Sequence, residues 1–274
     1  MASGLYLVAT PIGNLRDMTF RALDVLAAAD LVLAEDTRVT ARLLTAYGLK
    51  AKVERCDDHA SSRAAEAAVE RIAGGEVVAL VSDAGTPLVS DPGFVVARAV
   101  IAAGLPVHPI PGPSSLLAAL CIAGLPADRV VFAGFLPPKS AARKTALEAL
   151  RAPGQTLVFF ESGPRLADSL ADMAAVLGAR PAAVARELTK LYEDCVRGPL
   201  PDLAADPRLQ SPKGEIVVVV GPGAAEAASA ADIDQALSDA LTRLSTGDAA
   251  AEVAEALGLP RKTLYRRALE LKGR

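Results

Sequence analysis

The chain has 274 residues, of which 51% are hydrophobic, and its formal net charge is −3. This length provides a sizeable core for one large domain or two smaller ones. No apolar run reaches the roughly 18 residues that span a bilayer, and we find no basic segment followed by an apolar stretch, so we expect neither a membrane anchor nor an export signal. The three widely spaced cysteines indicate reduced thiols in a cytoplasmic protein, and the two histidines make a metal site improbable.

In the first half of the chain, apolar runs rich in Val, Ile and Leu alternate with Ala-rich helical stretches. The predicted strands are 4–9, 30–34, 77–81 and 106–110, and the predicted helices are 19–29, 39–47, 61–74 and 92–103. Near-continuous apolar strands separated by helices are typical of a parallel sheet covered on both faces. Residues 1–113 are therefore predicted to form an α/β domain.

Two loops that leave predicted strands are candidates for ligand binding. The first strand runs into "ATPIGN", a glycine-containing turn that lacks the three spaced glycines of a dinucleotide loop. The stretch "LVSDAGTPLVSDPGF" (80–94) also follows a strand end, where open parallel sheets bind ligands. Asp83 can accept hydrogen bonds from a ligand or cap its own loop, whereas Asp91 before Pro92 is a predicted helix N-cap.

A third strand end carries three charged side chains. "LAEDTRVT" (33–40) places Glu35, Asp36 and Arg38 close together. Acidic and basic groups at such a point suit substrate binding or proton transfer, and a local salt bridge is the alternative.

A second series of elements follows the segment "PIPGPSS" (109–115), the predicted joint, in which Ser114 can cap the next helix. Its predicted strands are 129–133, 155–160, 182–187 and 214–220, and its predicted helices are 140–151 and 165–177. We predict a second α/β domain over residues 114–224.

Charged residues also mark this second domain. Lys139, Arg143 and Lys144 stand at a predicted helix start, where cations oppose the helix dipole, so phosphate contact explains them better than local stability. "FFESGPR" (159–165) and "RELTKLYED" (186–194) again place acids and bases after a strand.

The last part of the chain, 231–274, has a pattern of its own. An acidic stretch precedes a strongly basic one, and "AAEVAEAL" is followed by Gly258, a short turn and a basic helix from about Pro260. Two helices joined by a glycine turn form a helix-turn-helix, whose second helix reads nucleic acid. A phosphate-bearing partner is one interpretation of the basic end, and a solvated helix face is the other.

Taken together, the motifs resemble one family. "LYLVATPIGNLRDMTFRAL", "AEDTR", "SDAGTPLVSDPG", "PGPSS", "FAGFLP", "FFESGPR", "RELTK" and "GEIVVVV" occur in the order found in bacterial 16S ribosomal RNA 2′-O-methyltransferases that act on a decoding-centre cytidine. These enzymes belong to the tetrapyrrole-methylase superfamily. The resemblance covers about residues 4–222, and the tail extends it. One departure is Gly163, where the family more often has Pro-His or a similar pair.

The resemblance implies a fold, a cofactor and a set of site residues. The expected fold is two α/β domains with a cleft for S-adenosylmethionine between them, followed by a small all-α helix-turn-helix unit. That ligand has no pyrophosphate, so it needs backbone groups and a carboxylate rather than a phosphate cradle. The implied cofactor-binding residues are Pro11, Asp83, Thr86, Ser114, Ser115 and Phe160.

The expected reaction is methylation of a ribose 2′-hydroxyl in 16S rRNA, as naked RNA or in an assembled small subunit. We expect no metal and a homodimer. The candidates for a base or orienting group are Glu35, Asp36, Glu187 and Lys190. The candidates for phosphate contact are Arg38, Lys139, Arg143 and Arg165. The alternatives are methylation of a tetrapyrrole or other small molecule, and a non-catalytic nucleic-acid-binding regulator.

Overall fold

The computed structural model describes residues 1–57, 60–89, 93–223, 230–257 and 259–272. The chain divides into two compact units, which we call unit 1 (Met1–Leu150 and Thr156–Gly221) and unit 2 (Arg151–Gln155 and Pro222–Arg274). The predicted cap at Asp91 and Pro92 and the predicted helix end at Gly258 lie outside the described residues.

The first sheet of unit 1 is parallel throughout its described pairings. Its strands lie in the order β3-β2-β4-β1-β5. They are β1 (Gly4–Val8), β2 (Leu31–Ala34), β3 (Val53–Arg55), β4 (Val77–Val81) and β5 (Val107–Ile110). Every residue of β2 and of β4 is buried, as expected for strands covered on both faces.

Helices cover both faces of this sheet because successive strand residues point to opposite sides. These helices are α1 (Phe20–Ala28), α2 (Thr37–Ala46), α3 (Ser61–Ala73) and α4 (Phe94–Ala102). Leu5 of β1 packs in one core with residues of α3 and α4. Its neighbour Tyr6 packs in the other core with residues of α1. The predicted parallel sheet is confirmed.

The second sheet of unit 1 is mixed. Its strands are β6 (Val130–Phe135), β7 (Thr156–Ser162), β8 (Pro181–Arg186), β9 (Asp194–Pro199) and β10 (Glu215–Val220). They lie in the order β6-β7-β10-β8-β9, with β6 parallel to β7 and the other described pairings antiparallel. The last strand in the sequence, β10, therefore lies between two earlier ones.

The helices of this part are α5 (Ser115–Ala123), α6 (Ser140–Ala149), α7 (Gly163–Leu177) and α8 (Leu200–Ala205). One face of the second sheet packs against α6, α7 and α8 around Phe159. Ala119 and Ala123 of α5 pack against the other face. As predicted, the Ser114 hydroxyl caps α5, accepting a hydrogen bond from the Leu117 amide at 3.4 Å.

Unit 2 contains, among the described residues, the helices α9 (Ala230–Leu241), α10 (Thr246–Leu257) and α11 (Arg261–Lys272). Their core contains Leu237, Val253 and Leu264, which are all at most 4% exposed. The predicted helix-turn-helix is confirmed, with α9 packed against it. In the described part of the chain, no helix is both long and apolar enough to cross a bilayer.

Candidate active site

Three loops at the carboxyl ends of the first sheet's strands are held together by hydrogen bonds. Thr10, after β1, exchanges backbone hydrogen bonds with Gly85, after β4, at 2.9 and 3.0 Å. The Thr86 hydroxyl donates to the carbonyl of Pro113, after β5, at 3.0 Å. Gly85 has a φ of 84°, a conformation that glycine adopts without strain. The loops therefore form one continuous rim.

A cavity of about 260 Å³ lies in unit 1 where this rim faces the second sheet. On the side of the first sheet it is lined by loop residues that include Ile12, Glu35 and Asp83, and by Ser115 at the start of α5. From the second sheet it is lined by Phe135, Phe160, Glu161, Leu188, Glu215, Ile216 and Val217. Apolar walls with a few convergent polar groups are typical of a small-molecule site.

Asp83 stands where this cavity meets two neighbouring ones. Its Oδ1 accepts a hydrogen bond from the backbone amide of Asp36 at 3.0 Å, which ties the loops after β2 and β4 together. A polar cavity of about 540 Å³ contains Asp36, Arg38 and Arg55, and it shares Glu35 and Asp83 with the first. Pro11 lines the other neighbouring cavity, again with Asp83.

A strained turn of the second sheet closes one side of the first cavity. Glu187 and Thr189 have φ values of 51° and 67°, which L-residues other than Asn and Asp rarely adopt. Leu188 between them lines the cavity. Each such residue costs on the order of 1–3 kcal/mol, and such strain is concentrated at ligand sites.

Hydrogen bonds hold this turn in place. Glu187 Oε1 accepts from the Glu215 amide at 3.0 Å and from Lys190 Nζ at 2.8 Å. Lys190 Nζ also contacts Glu215 Oε2 at 3.1 Å. The methylenes of Lys190 occupy the space that a Cβ at Gly13 would need, so this lysine packs on the first loop.

The charges of this cluster stabilise one another. Hydrogen bonds from Lys190 and from the Glu215 amide lower the pKa of Glu187. Partial burial acts to lower the pKa of Lys190, but its hydrogen bonds to Glu187 and Glu215 outweigh burial and raise it. Both groups are therefore charged at neutral pH, and neither is suited to accept a proton there.

Asp36 is engaged in a similar way. Its side chain caps α2 and accepts from Nε and Nη2 of Arg38 at 3.0 and 2.6 Å. The hydrogen bond from the Arg38 side chain holds the pKa of Asp36 far below its ordinary value. The local salt bridge left open by the sequence is present, and the Arg38 side chain remains 84% exposed.

The other predicted phosphate-binding cations differ in their surroundings. Lys139 is exposed at the start of α6. Arg165 is 31% exposed, lies 3.3 Å from Glu161 and donates to the Leu136 carbonyl. Arg143 is 3% exposed, and its Nε and Nη2 both lie 2.7 Å from Asp172 Oδ2. Because its guanidinium is buried and paired with Asp172, Arg143 is not accessible to a phosphate, unlike the other predicted contacts.

The structure brings Glu35, Asp83, Ser115 and Phe160 together around the first cavity. Thr86 donates to the Pro113 carbonyl of the rim and Ser114 caps α5, and neither residue lines that cavity. Sequence reasoning missed the apolar walls, notably Ile12 and Leu188, because a single buried residue in a loop has no periodic pattern. Among the described residues, no group of three His, Cys, Asp or Glu side chains is placed to hold a metal ion.

The chain matches two family models. Residues 4–204 match the tetrapyrrole (corrin/porphyrin) methylases, and residues 227–272 match the RsmI C-terminal HTH domain. The methyltransferase CobJ has a similar structure, with a TM-score of 0.58 at 21% identity, covering 81% of this chain and 95% of that one. Uroporphyrin-III C-methyltransferase from Thermus thermophilus, complexed with S-adenosyl homocysteine, gives a TM-score of 0.54 at 22% identity, covering 79% and 96%. The fold and the cavity thus define an S-adenosylmethionine-dependent methyltransferase of the tetrapyrrole-methylase class.

Relatives with higher sequence identity show which family within this class the chain belongs to. Ribosomal RNA small subunit methyltransferase I of Mesorhizobium japonicum is 51% identical over 98% of this chain and 92% of its own length. The protein of that name from Pseudomonas aeruginosa is 44% identical over 100% and 99%. The chain belongs to the ribosomal RNA small subunit methyltransferase I family.

The residues of the first cavity fit the cofactor of this class. Apolar groups from both sheets offer walls to an adenine ring, and Asp83 offers a carboxylate to hydroxyl or ammonium donors. When bound, S-adenosylmethionine supplies an electrophilic methyl group. The chain's own residues have to hold the cofactor, exclude water and orient the acceptor.

Proposed function

We propose that this chain methylates the ribose 2′-hydroxyl of a decoding-centre cytidine in 16S rRNA. The observation that carries the proposal is the match to rRNA methyltransferases along essentially the whole chain, helical tail included. The reaction takes place in the cytoplasm, on naked 16S rRNA or on an assembled small subunit. The enzyme acts as a homodimer without a metal ion.

Glu35 is the residue we propose to orient the acceptor hydroxyl. It lines both the first cavity and the polar cavity, so it stands between the cofactor and a nucleotide entering from the Arg38 side. The other three candidates are less suited, because Asp36, Glu187 and Lys190 have pKa values shifted away from neutrality by their ion pairs. Alignment is the main requirement, since the methyl donor is already electrophilic.

For RNA contact we propose Arg38, Lys139 and Arg165, together with one face of α11. On that face Lys262, Tyr265, Arg266 and Leu269 are exposed and follow helical spacing. Arg267 is not included, because its Nε bonds Asp234 at 2.6 Å and its Nη1 bonds Glu270 at 2.7 Å. A basic second helix is the element of a helix-turn-helix that contacts nucleic acid.

The test is methylation of small subunits and of naked 16S rRNA, both from cells that lack the activity, with labelled S-adenosylmethionine. Mass spectrometry of nuclease digests should place the label on the ribose of one cytidine. Transfer of the labelled methyl group to a base, or no transfer to either substrate, would contradict the proposal. A Glu35→Gln variant should lower the rate and leave cofactor binding intact.

Of the alternatives, the non-catalytic regulator is wrong, because the chain belongs to a family of methyltransferases. A tetrapyrrole substrate has support from the tetrapyrrole methylase family model and from solved structures at 20–24% identity, which share the fold, whereas the relatives at 44–51% identity are ribosomal RNA methyltransferases. The helical tail favours RNA.

A further inference from the structure

Two large side chains are exposed at the centre of the turn that leads from β8 to β9. The Glu193 amide donates to the Lys190 carbonyl at 3.2 Å, so Leu191 and Tyr192 occupy the two central positions of this turn. Leu191 is 89% exposed and Tyr192 is 70% exposed. Turn centres ordinarily carry Gly, Pro, Asn, Asp or Ser, so neither turn geometry nor burial explains this pair. We call it the Leu191–Tyr192 tip.

The backbone of the tip is held in place on both sides. The Thr189 amide donates to Glu193 Oε2 at 2.6 Å. On the other side, the Lys190 amine bonds Glu187 and Glu215. The positive φ values of Glu187 and Thr189 cost free energy that the exposed side chains of the tip do not return through packing. A role in binding accounts for that cost.

The tip adjoins the candidate active site. Leu188, just before the tip, lines the first cavity. The methylenes of Lys190 pack on Gly13 of the first loop. Gly13 in turn lines the cavity that contains Pro11, together with Arg42, an exposed residue. The tip therefore stands beside the site on a side that also offers a cation to a phosphate.

We propose that the Leu191–Tyr192 tip stacks on a base of the substrate RNA next to the methylated nucleotide, an inference that rests on the proposed function. The acceptor ribose has to enter a cavity lined by residues of both sheets, so its nucleotide separates from its neighbours and a base beside it loses a stacking partner. The Tyr192 ring replaces that partner. Because every base has a π-face, such a contact does not depend on which base it is.

The chemistry of the tip favours a base over a phosphate or a protein surface. Neither side chain of the tip carries a charge, so the tip is not a phosphate contact. Two side chains on a turn offer much less area than the roughly 800 Å² per partner that a stable protein interface buries. A flat base needs only one face of a ring.

The first test is methylation kinetics of the full chain, with undermethylated small subunits or naked 16S rRNA, whichever the wild type uses. Tyr192→Ala should lower kcat/KM for the RNA by about tenfold or more, whereas Tyr192→Phe keeps the ring and should stay within about twofold of wild type. S-adenosylmethionine affinity should be unchanged in both variants. The matched control is Ile101→Ala near the end of α4, which removes an apolar side chain that is 62% exposed and should leave the kinetics as in wild type.

Fluorescence gives a direct readout of stacking, because the chain contains no tryptophan. In a Tyr192→Trp variant, saturating RNA should quench the indole emission, since the indole stacks on a base. The emission of Ile101→Trp should change little. A residue that only supports the fold would not produce this difference.

Wild-type kinetics in Tyr192→Ala, or unquenched emission of Tyr192→Trp at saturating RNA, would overturn the inference and leave the proposed function standing. A lower molar mass of Tyr192→Ala by light scattering would assign the tip to a contact with protein and overturn the inference as well. A wild type that methylates neither RNA substrate would contradict the proposed function, and the inference with it.

Discussion

At the residue scale, Asp83 is the most informative side chain. The sequence left two readings of it, a loop cap and a ligand-binding carboxylate. Its Oδ1 accepts from the amide of Asp36 in the loop after β2, so the carboxylate ties two loops together rather than capping its own. The residue also lines the first cavity, and its role in ligand binding stays a prediction. To distinguish the two roles, one substitution should remove the negative charge and keep a hydrogen-bond acceptor, and another should remove both.

We predict that Asp83→Asn and Asp83→Ala both weaken S-adenosylmethionine binding about tenfold or more, because each removes the carboxylate. A tenfold loss corresponds to about 1.4 kcal/mol. Asparagine keeps an acceptor for the Asp36 amide, so only the alanine variant should also lower the melting temperature. Titration calorimetry and thermal unfolding measure the two effects. Unchanged cofactor affinity in both variants would remove Asp83 from the site.

The cluster of Glu187, Lys190 and Glu215 predicts a pH dependence. The lowered pKa of Glu187 gives stability that is complete above its ordinary pKa of 4.5 and is lost as pH falls through the lowered value. The raised pKa of Lys190 gives stability that is complete below 10.5 and is lost as pH rises through the raised value. The cluster is therefore intact across neutral pH.

Lys190→Met keeps most of the side chain that packs on Gly13 and removes the charge. We predict a higher KM for S-adenosylmethionine with an unchanged shape of the pH–rate profile around neutrality. The physical reason is that this amine holds the strained turn against the cavity and does not transfer a proton. Loss of a limb in which the rate rises with pH would instead identify Lys190 as the base, because a base acts only after it has lost its own proton.

At the scale of elements, a close backbone contact explains why glycine stands at position 163, where the family more often has Pro-His or a similar pair. A Cβ at this first residue of α7 would overlap the carbonyl oxygen of Pro212. The chain approaches the helix so closely here that only glycine fits. The physical cause lies in a contact between residues far apart in sequence, which the sequence pattern does not reveal.

Gly163→Ala should therefore lower the free energy of unfolding, by about 1–3 kcal/mol for an overpacked site. The matched control is Gly247→Ala in the first turn of α10, where a Cβ meets no atom nearer than 4.0 Å. There alanine should be neutral or stabilise by up to about 1 kcal/mol. Denaturant unfolding measures both, and destabilisation of equal size would argue against the contact.

The buried ion pair between helices α6 and α7 gives a second prediction at the scale of elements. Asp172 accepts from Arg143, Ser140 and Lys144; these bonds outweigh burial and lower its pKa. Asp172→Ala leaves the Arg143 guanidinium buried without its partner and should cost about 3–5 kcal/mol. An Arg143→Met, Asp172→Leu double variant should recover part of that loss. Chemical denaturation of both variants checks the difference, and an equally unstable double variant would contradict it.

The sequence predicted the elements better than their arrangement. The predicted strands located β1, β2, β4 and β5, four strands of the first sheet, whereas β3 is too short and polar to be recognised. In the second sheet, "EIVVVV" identifies β10 as a buried strand, but an apolar run does not encode strand direction. The antiparallel order comes from long-range pairing, and β9, with its charged residues, was missed.

At the scale of the whole molecule, the two units have different chemical characters. The first cavity belongs to unit 1, and the basic face of α11 belongs to unit 2. We therefore predict that Lys262→Glu with Arg266→Glu weakens binding to 16S rRNA, with a shallower salt dependence, and leaves S-adenosylmethionine affinity unchanged. Filter binding over a salt series measures this.

The control for this prediction has the same change of charge elsewhere. Lys50 and Arg63 are exposed in unit 1, and their double replacement by Glu should alter RNA binding less. Equal losses in the two double variants would mean that net charge, and not the α11 face, governs the affinity.

The central position of β10 in the second sheet has a consequence for biosynthesis. The first sheet is complete once Ile110 has been translated, so it can form while the rest of the chain is still being made. The second sheet has to wait for residues 215–220, because β10 joins the β6–β7 half to the β8–β9 half. A nascent chain that stops before Glu215 should have a protease-resistant amino-terminal half followed by a long digestible stretch. Premature termination should therefore yield chains that are cleared rather than partly active.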